Sequence, residues 1–516
     1  MIQFLLSRQK TRTPIGHFMN LATQSSVLPD LTQEFLKDHH IQIDNLFSCM
    51  WNRLGFPRLL NRLGFKKRSG TSAVDVVYLL LLWVWLKVDS IAMFSRESLL
   101  SFSSAHKDAL YDMLNREDLN WRKLQLHIAQ KLIATTEKNS TIRALVVDDS
   151  VKMRRGKKMP GVSCHFDHLT GRTVMGQQVL TLGLATQDRF VPLDSEIFIS
   201  ASQATPLPAA FHDQRSVVAR RYQQAQNQSK PQMLEGMLSR ALNAGIEAEY
   251  FLADAWFATK QVLTLTQDHS LTAIVRTKKN KTKYRLTLAD ESTQMLNIVE
   301  LYQNHVKKQW RQVKGRHSYQ AQSLVVELNL AATDHDADRW VKVKLLFVRG
   351  VADEKSQPGK HDWAVFLTTG CHLEDSAILE IYALRWGIEV YFKEAKQHLG
   401  WLKEQSIHYS AYLASIHLTA LRFCILLFAQ YEQGMTSFGA CRTRMKETMN
   451  TMDFASRLWI LFRALILGAM NELQEEYGEA MTRILELIDQ KVKDYFVQVM
   501  QMDSFTLRLE ATSEAT

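Results

Sequence analysis

The chain has 516 residues, of which 46% are hydrophobic and 22% charged, and its formal net charge is +10. Its length allows roughly two to four domains, and the ample apolar content with few Gly or Pro is typical of a globular protein. The positive balance favours an acidic partner such as nucleic acid. Five widely spaced cysteines, without a CxxC pair, exclude a disulfide framework and a cysteine zinc site.

The sequence gives no sign of export or membrane insertion. The N-terminal stretch MIQFLLSRQKTRT lacks the layout of a signal peptide, so we expect a cytosolic protein. The longest apolar run, Val76–Leu86, is too short to span a bilayer, and a second apolar stretch from Leu418 is interrupted by Arg422. Both stretches predict buried helices.

Residues 1–140 have a predominantly helical pattern, after which strands and helices alternate. Apolar runs predict buried strands, and helical spacing that ends in Gly predicts a helix. The order is three strands, then helix, strand, helix and strand, which fits a ribonuclease-H-like sheet. The strands are predicted at 143–150, 179–186, 190–200, 249–254 and 271–278, and the helices at 230–245 and from Ala258.

Residues 280–372 break this rhythm with segments of strand character, and we expect a β-rich insertion. The flanking regions are expected to be helical. The expected fold class is therefore α/β, a ribonuclease-H-like catalytic core with a β-rich insertion and helical N- and C-terminal regions. The expected boundaries are 1–140, 141–279 for the first part of the core, 280–372, 373–400 for a core helix, and 401–516.

The core helix carries an unusual polar stripe. Tyr382, Arg385, Glu389 and Lys396 are separated by offsets of three, seven and fourteen residues from the first. At about 100° per residue they fall within roughly 60° around a helix axis. A core-facing stripe would be apolar, and a solvated face would not need tyrosine, so this stripe indicates a binding surface.

Acids lie at the ends of two predicted strands. Asp148 and Asp149 end the first strand, and Asp254 ends the fourth. Carboxylates at the ends of adjacent strands can converge with a third from a packed helix, here Glu389. Hard oxygen ligands of this kind bind Mg²⁺ or Mn²⁺, and two such ions can promote phosphoryl transfer without a covalent nucleophile.

The pattern Y-x2-R-x3-E-x6-K resembles the signature of the insertion-sequence-four family of bacterial DDE transposases. The four stripe residues match it at every spacing, and VVDDS (146–150) and FLADAWF (251–257) lie upstream. The resemblance covers about residues 140–400. It implies a ribonuclease-H-like core with a β insertion before the glutamate helix, in agreement with the elements predicted above.

The resemblance implies that Asp149, Asp254 and Glu389 form a metal-binding DDE triad that holds two divalent ions, Mg²⁺ or Mn²⁺. Asp148 is an alternative for the first position. Asp149 is preferred because the family's acid is usually followed by Thr or Ser, and Ser150 follows here. Since neighbouring strand residues point to opposite faces, only one of these two acids faces the site.

The resemblance also implies that Tyr382, Arg385 and Lys396 hold DNA phosphates near the cut end. Family members often cut through a DNA hairpin, with a flipped base stacked on a tryptophan of the insertion. Trp363 lies near the corresponding place, at a slightly different spacing. A buried strand tryptophan is the alternative interpretation of Trp363.

The expected function is cut-and-paste transposition of an insertion sequence by a cytoplasmic, nucleoid-associated bacterial homodimer. Its partners would be double-stranded DNA, namely the inverted-repeat ends and the target. We expect residues 1–140 to bind the ends and residues 401–516 to include a dimerisation surface. Two alternatives are a structure-directed nuclease on the same fold, which would not need the polar stripe, and an inactive DNA-binding relic, which predicts a damaged triad.

Overall fold

The structure, a computed structural model, describes residues 46–136, 142–156, 158–167, 171–200, 204–331, 337–350, 363–435, 437–472, 480 and 482–489. The chain divides into two compact units. One is Asn45–Ala464, which contains all of the predicted site residues. The other consists of Met1–Asp44 and Leu465–Thr516, of which the structure describes residues 465–472, 480 and 482–489 as helical.

The N-terminal part of the larger unit is helical. Its most apolar helix starts after Ser72, whose side chain accepts a hydrogen bond from the Asp75 backbone N–H at 3.1 Å. That helix is almost fully buried, as expected for the apolar run Val76–Leu86. The helices of this part are α1 (Leu46–Arg53), α2 (Phe56–Arg62), α3 (Ala73–Leu82), α4 (Ile91–Glu97), α5 (Lys107–Asn115) and α6 (Trp121–Thr136).

A mixed sheet forms the centre of this unit. Its first six strands are β1 (Ala144–Met153), β2 (Ser163–Asp167), β3 (Arg172–Ala185), β4 (Phe190–Phe198), β5 (Tyr250–Ala253) and β6 (Thr272–Thr277). The order β4-β3-β1-β5-β6 has antiparallel pairs among β4, β3 and β1 and parallel pairs among β1, β5 and β6. This arrangement confirms the predicted ribonuclease-H-like core. Between β4 and β6 lie α7 (Val217–Asn227), α8 (Lys230–Asn243) and α9 (Lys260–Asp268).

The predicted insertion extends the same sheet. Strand β12 pairs antiparallel with β6, and the insertion strands continue outward from β12 in the order β11, β10, β7 and β8. The whole sheet has twelve strands within the part of the chain that the structure describes. The elements of the insertion are β7 (Lys283–Thr287), β8 (Thr293–Asn297), α10 (Ile298–Leu301), β9 (Arg311–Val313), β10 (Arg316–Asn329), β11 (Trp340–Gly350) and β12 (Trp363–Thr368).

The predicted core helix is two helices and not one. Helix α11 (Asp375–Ala383) ends just before Leu384 and Arg385, and α12 (Trp386–His398) follows. Backbone hydrogen bonds in the junction span three residues, for example from the Arg385 N–H to the Tyr382 carbonyl at 3.0 Å. The chain is therefore tightened into a 3₁₀-type turn here. Periodicity alone did not predict this break, because both junction residues keep right-handed helical dihedral angles.

A glycine brings α12 close to the sheet. A Cβ atom at Gly387 would lie 2.7 Å from the Cβ of Phe190 on β4, so any larger side chain would push α12 away. The buried face of α12 consists of Ile388, Tyr391, Phe392 and Ala395. Glu389 and Lys396 lie on the side of α12 next to this buried face, and Lys396 is exposed there.

Two long helices follow, α13 (Tyr409–Glu432) and α14 (Phe438–Glu472). Helix α13 is long and apolar enough to cross a membrane, but its apolar window is entirely buried inside the protein. Within it, Arg422 donates hydrogen bonds to the backbone carbonyls of Leu80, Leu81 and Leu399. These contacts identify α13 as a core helix around which the other helices pack.

A buried ion network attaches three helices to strand β4. Glu196 contacts Arg122 of α6 and accepts from Arg221 of α7 at 2.8 Å, and Arg240 of α8 lies 2.7 Å from Asp194. Burial opposes ionisation of Glu196, but the surrounding arginines outweigh it and lower the pKa of this carboxyl. We call Asp194, Glu196 and the three arginines the β4 network.

Candidate active site

Two acids follow the parallel part of β1. In the pairing of β1 with β5, Val147 lies beside Ala253, so Asp148 and Asp254 both come directly after this pair. Neighbouring residues of a strand point to opposite faces, and Asp148 and Asp149 accordingly have different partners. Asp254 is fixed locally by an Asx-type turn, in which its Oδ1 accepts from the Trp256 N–H at 3.0 Å.

Asp148 lies in a cluster of charged groups with Arg385 at its centre. Arg385 Nη1 is 3.0 Å from Asp148 Oδ2, and Arg385 Nη2 contacts Glu389 Oε1 one turn along α12. Asp254 is close enough to act electrostatically on both Asp148 and Arg385. The structure thus brings together Asp148, Asp254 and Glu389 around one guanidinium, and we call these four residues the acid cluster.

Asp149 belongs to a separate and more buried pair. Its Oδ2 lies 2.7 Å from Lys230 Nζ at the start of α8, and its Oδ1 accepts from Gln178 Nε2 at 2.7 Å. The same ammonium lies 4.3 Å from the ring centroid of Trp256, a cation–π distance. The geometry therefore favours Asp148 as the first acid of the site, the reverse of the preference that the following Ser150 suggested, because strand alternation directs Asp149 toward Lys230.

Carboxyl groups outnumber cationic side chains in the acid cluster as the structure describes it. Burial, together with the repulsion from Asp254 and Asp149, raises the pKa of Asp148 to about 7, against the opposing effect of Arg385. Burial disfavours the charged form of Arg385 as well, yet Tyr382 and the acids outweigh it and raise the pKa of the guanidinium. Within the described part of the chain, three carboxyl groups therefore act on one arginine, and negative charge exceeds positive charge in the cluster.

The other stripe residues lie around this cluster. The Tyr382 hydroxyl donates to the Ala253 carbonyl at 3.4 Å, and burial raises its pKa. This contact places Tyr382 over the end of β5, next to Asp254. Lys396 is exposed two turns beyond Glu389, with its Nζ 5.5 Å from the ring centroid of Trp401. Lys396 therefore extends the site along α12, roughly 10 Å from Glu389 at 1.5 Å per residue.

Two tryptophans near this edge of the sheet differ in accessibility. Trp363 is 8% exposed and stacks on Tyr302 with centroids 4.1 Å apart, while Lys279 Nζ lies 3.7 Å from its ring. Its strand register places Trp363 on the acid-bearing edge of the sheet, on the order of 15 Å from Asp254. Trp386, directly after Arg385, is 66% exposed. In this arrangement Trp386 has a free face for a base, and Trp363 does not.

The donors of the acid cluster have the chemistry that a divalent cation requires. Among the described residues, no group of three His, Cys, Asp or Glu is already positioned to hold a metal ion. Arg385 lies between Asp148 and Glu389, in the place where a cation would balance the same carboxylates. The oxygen donors and their shortage of positive charge fit Mg²⁺ or Mn²⁺, provided that the guanidinium moves aside.

Sequence reasoning missed the partners of Asp149. The start of α8 is readable, since Ser229 and Gln232 form a capping box. Nothing in the sequence indicates that Lys230 reaches Asp149 or that Gln178 completes the pair, because these contacts depend on how α8 docks. Strand alternation predicts that Asp148 and Asp149 point to opposite faces of the sheet, but it does not predict which of them faces the site.

A model of a known protein family matches part of the chain. Residues 88–325 match the family model described as DDE superfamily endonuclease, a region that includes Asp148 and Asp254 and ends before Glu389. No curated protein matches the chain. Together with the ribonuclease-H-like core, the match supports a DDE-type transposase or nuclease family for this chain.

Proposed function

We propose that this protein is a DNA transposase that excises and joins an insertion sequence by metal-dependent phosphoryl transfer, with Asp148, Asp254 and Glu389 as the metal-binding acids. The observation that carries this proposal is that Asp148 and Glu389 both contact Arg385, and that Asp254 follows β5 beside Asp148, where the parallel pairing of β1 with β5 ends. Divalent ions bound there would activate the attacking oxygen and stabilise the leaving oxygen of a phosphodiester. The Tyr, Arg and Lys stripe supports a transposase over a simple nuclease.

Arg385 has two roles in this proposal. Without DNA its guanidinium balances Asp148 and Glu389. With Asp148 and Glu389 holding a cation, the planar guanidinium would be available to a phosphate, which it could bind through two parallel N–H donors. Tyr382 offers a hydroxyl beside Asp254, and Lys396 a point charge further along α12. These three side chains would fix the DNA strand relative to the acids.

Trp386 is the better candidate for stacking on an unpaired base, since its side chain is exposed directly beside Arg385. Trp363 would first have to separate from Tyr302. A hairpin route of cleavage, with a flipped base, is therefore proposed to use Trp386, with Trp363 in a supporting position in the insertion.

We further propose that the protein acts in the cytoplasm as a homodimer that pairs two transposon ends. Helix α14 exposes a row of large apolar side chains at helical spacing, Phe454, Leu458, Leu461 and Phe462. An exposed row of this kind is typical of a helix that packs against a partner. The positive net charge supports DNA as the substrate.

A single experiment tests this function. A linear DNA fragment that carries the native gene with its flanking sequence is incubated with the full-length protein and Mg²⁺, beside Asp148→Ala, Asp254→Ala and Glu389→Ala. We expect release of the element at inverted repeats by the wild type and loss of release in all three variants. Unspecific nicking would instead indicate a nuclease, and metal-independent binding without cleavage would indicate an inactive relic.

A further inference from the structure

A large pocket at the C-terminal end of α12 is not part of the acid cluster. Its volume is about 730 Å³. Three segments of the chain form it: the turn after α3, the end of α12 with the loop that follows, and one face of α14. A cavity of this size with convergent polar groups is the usual form of a ligand site.

The pocket is held open by contacts that do not use its cations. The Asn450 side chain accepts from the Lys87 N–H at 3.1 Å and donates to the Trp85 carbonyl at 3.1 Å, which fixes α14 to the turn after α3. Arg442 forms a salt bridge of 2.5 Å with Glu394, which fixes α14 to α12. The walls are therefore part of the folded structure.

Positive charge converges on this pocket from each of the three segments. Lys87 comes from the turn after α3, Lys403 from the loop after α12, and Lys446 from α14. None of these lysines forms a salt bridge with any residue that the structure describes. Burial and the nearby Arg442 and Lys403 lower the pKa of Lys446, so the cations disfavour one another. Two acids, Asp89 and Glu447, also line the pocket and leave the lysines in excess.

We propose that this pocket binds a backbone phosphate of the DNA that occupies the acid cluster, and this inference rests on the proposed function. The geometry that points to DNA is the course of α12. From Glu389 to His398 the helix rises about 14 Å, which corresponds to roughly four base pairs along a duplex. Lys393 and Lys396 are exposed between these two points. A duplex that lies along α12 would meet cations from the cluster to the pocket.

The test measures the salt dependence of DNA binding, which reports phosphate contacts. Affinity of the full-length protein for a random-sequence duplex is measured by fluorescence anisotropy between about 50 and 200 mM salt. Each phosphate contact contributes about 0.9 to the slope of log affinity against log salt concentration. We expect Lys403→Ala and Lys446→Ala each to reduce the slope by up to this amount. Lys107→Ala, which removes an exposed lysine of α5 outside the pocket, should leave the slope unchanged.

A variant that is expected to strengthen DNA binding distinguishes a role in binding from a folding defect. Glu447→Gln removes a negative charge from the pocket, so it should tighten DNA binding, whereas a damaged fold would weaken it. Equal slopes for wild type, Lys403→Ala and Lys446→Ala would overturn the proposal. So would protection against thermal unfolding by a free nucleoside triphosphate together with unchanged DNA slopes, which would assign the pocket to a free nucleotide.

Metal-dependent cleavage by the wild type is measured in parallel. If the wild type cleaves DNA and the lysine variants keep its slope, the pocket proposal fails and the proposed function stands. If the wild type neither binds nor cleaves DNA, the proposed function fails and the pocket proposal fails with it.

Discussion

The acid cluster and the β4 network are built from the same groups, carboxylates and arginines on one sheet, but with opposite balance. In the β4 network, Asp194 and Glu196 have three arginines to contact. In the acid cluster, Arg385 is the one arginine that contacts Asp148 and Glu389 among the residues that the structure describes. The first arrangement is complete by itself, and the second requires a further cation.

The two regions also differ in exposure. Asp194 is 3% exposed and Arg221 4%, and His417 of α13 closes the network through a 2.8 Å contact with Arg221 Nη1. The acid cluster lies where the parallel pairing of β1 with β5 ends, and Glu389 keeps 34% of its side chain exposed there. Buried charge that is fully paired fixes the fold, whereas accessible charge that is under-paired is suited to bind metal and phosphate. The following predictions test this distinction.

The largest expected effect is on stability, from the β4 network. Glu196→Ala leaves Arg122 and Arg221 buried without their carboxylate, and we expect a loss of about 3–5 kcal/mol in the free energy of unfolding. Urea unfolding followed by far-UV circular dichroism measures it. Glu97→Ala, at an exposed position of α4, should change stability by no more than about 0.5 kcal/mol. An unchanged unfolding midpoint for Glu196→Ala would show that the network does not hold the helices on β4.

The neighbouring acids of β1 provide a matched pair of variants. Asp148→Asn should reduce metal-dependent cleavage by at least about a hundredfold, the usual size for loss of one preorganised electrostatic group. Asp148→Asn should not lower the free energy of unfolding, because burial and the neighbouring carboxylates already disfavour the charged form of Asp148, as its raised pKa indicates. Both cleavage and urea unfolding are measured on the same preparations.

Asp149→Asn should have the opposite profile. It leaves Lys230 buried without its carboxylate, and we expect a loss of about 2–3 kcal/mol in stability. Cleavage should persist at temperatures at which the variant is folded. If Asp149→Asn is instead stable and inactive while Asp148→Asn cleaves DNA, the preference suggested by Ser150 is correct and the assignment of Asp148 fails.

A smaller effect is expected at the centre of the acid cluster. Arg385→Gln removes the guanidinium that balances Asp148 and Glu389, so Mn²⁺ should bind the DNA-free protein about tenfold more tightly, or about 1.4 kcal/mol. Isothermal titration calorimetry measures this affinity. The same variant should bind DNA more weakly, because a phosphate contact is lost. Equal Mn²⁺ affinity for the variant and the wild type would contradict the balancing role of Arg385.

A separate effect, which depends on pH, is expected in the β4 network. Burial, followed by the charges of Arg221, Arg122 and Arg240, lowers the pKa of His417 well below its ordinary value. The unfolded chain then binds the proton more readily, so the contribution of His417 is complete above about pH 6.5 and is lost as pH falls below it, by up to 1.4 kcal/mol per pH unit. Unfolding midpoints at pH 7 and pH 5 should therefore differ less in His417→Gln than in the wild type.

His106→Gln is the control for this pH dependence, since His106 is exposed just before α5. It should keep the full acid sensitivity of the wild type. If His417→Gln keeps it as well, acid sensitivity arises elsewhere in the protein.

Most strands of the core and helix α8 could be predicted from the local pattern of apolar and polar residues. Each predicted strand from residue 143 to 278 overlaps an observed one, and the α8 prediction at 230–245 closely matches Lys230–Asn243. Strand β2, the long start of β3 and helix α7 were not predicted. These segments are more polar or short, so their burial depends on neighbours that are distant in sequence. The predicted domain boundaries and the DNA-end-binding role of residues 1–140 stay predictions, and residues 1–45 lie outside the part that the structure describes.

The sequence by itself determined the residue types of the site, namely acids on adjacent strands of one sheet and a Tyr, Arg, Glu and Lys spacing at helical intervals. These features can be predicted because the helix and strand periods alone determine which residues of one segment lie on the same face. The sequence predicted that the first strand ends at these acids, whereas β1 continues to Met153 through its pairing with β3. The tertiary structure alone decided which β1 acid faces Arg385, that Trp363 is covered by Tyr302, and that three lysines meet at the end of α12. Each of these contacts joins segments that are far apart in sequence. The packing of such segments is stabilised by many core contacts together, so no local sequence pattern predicts it.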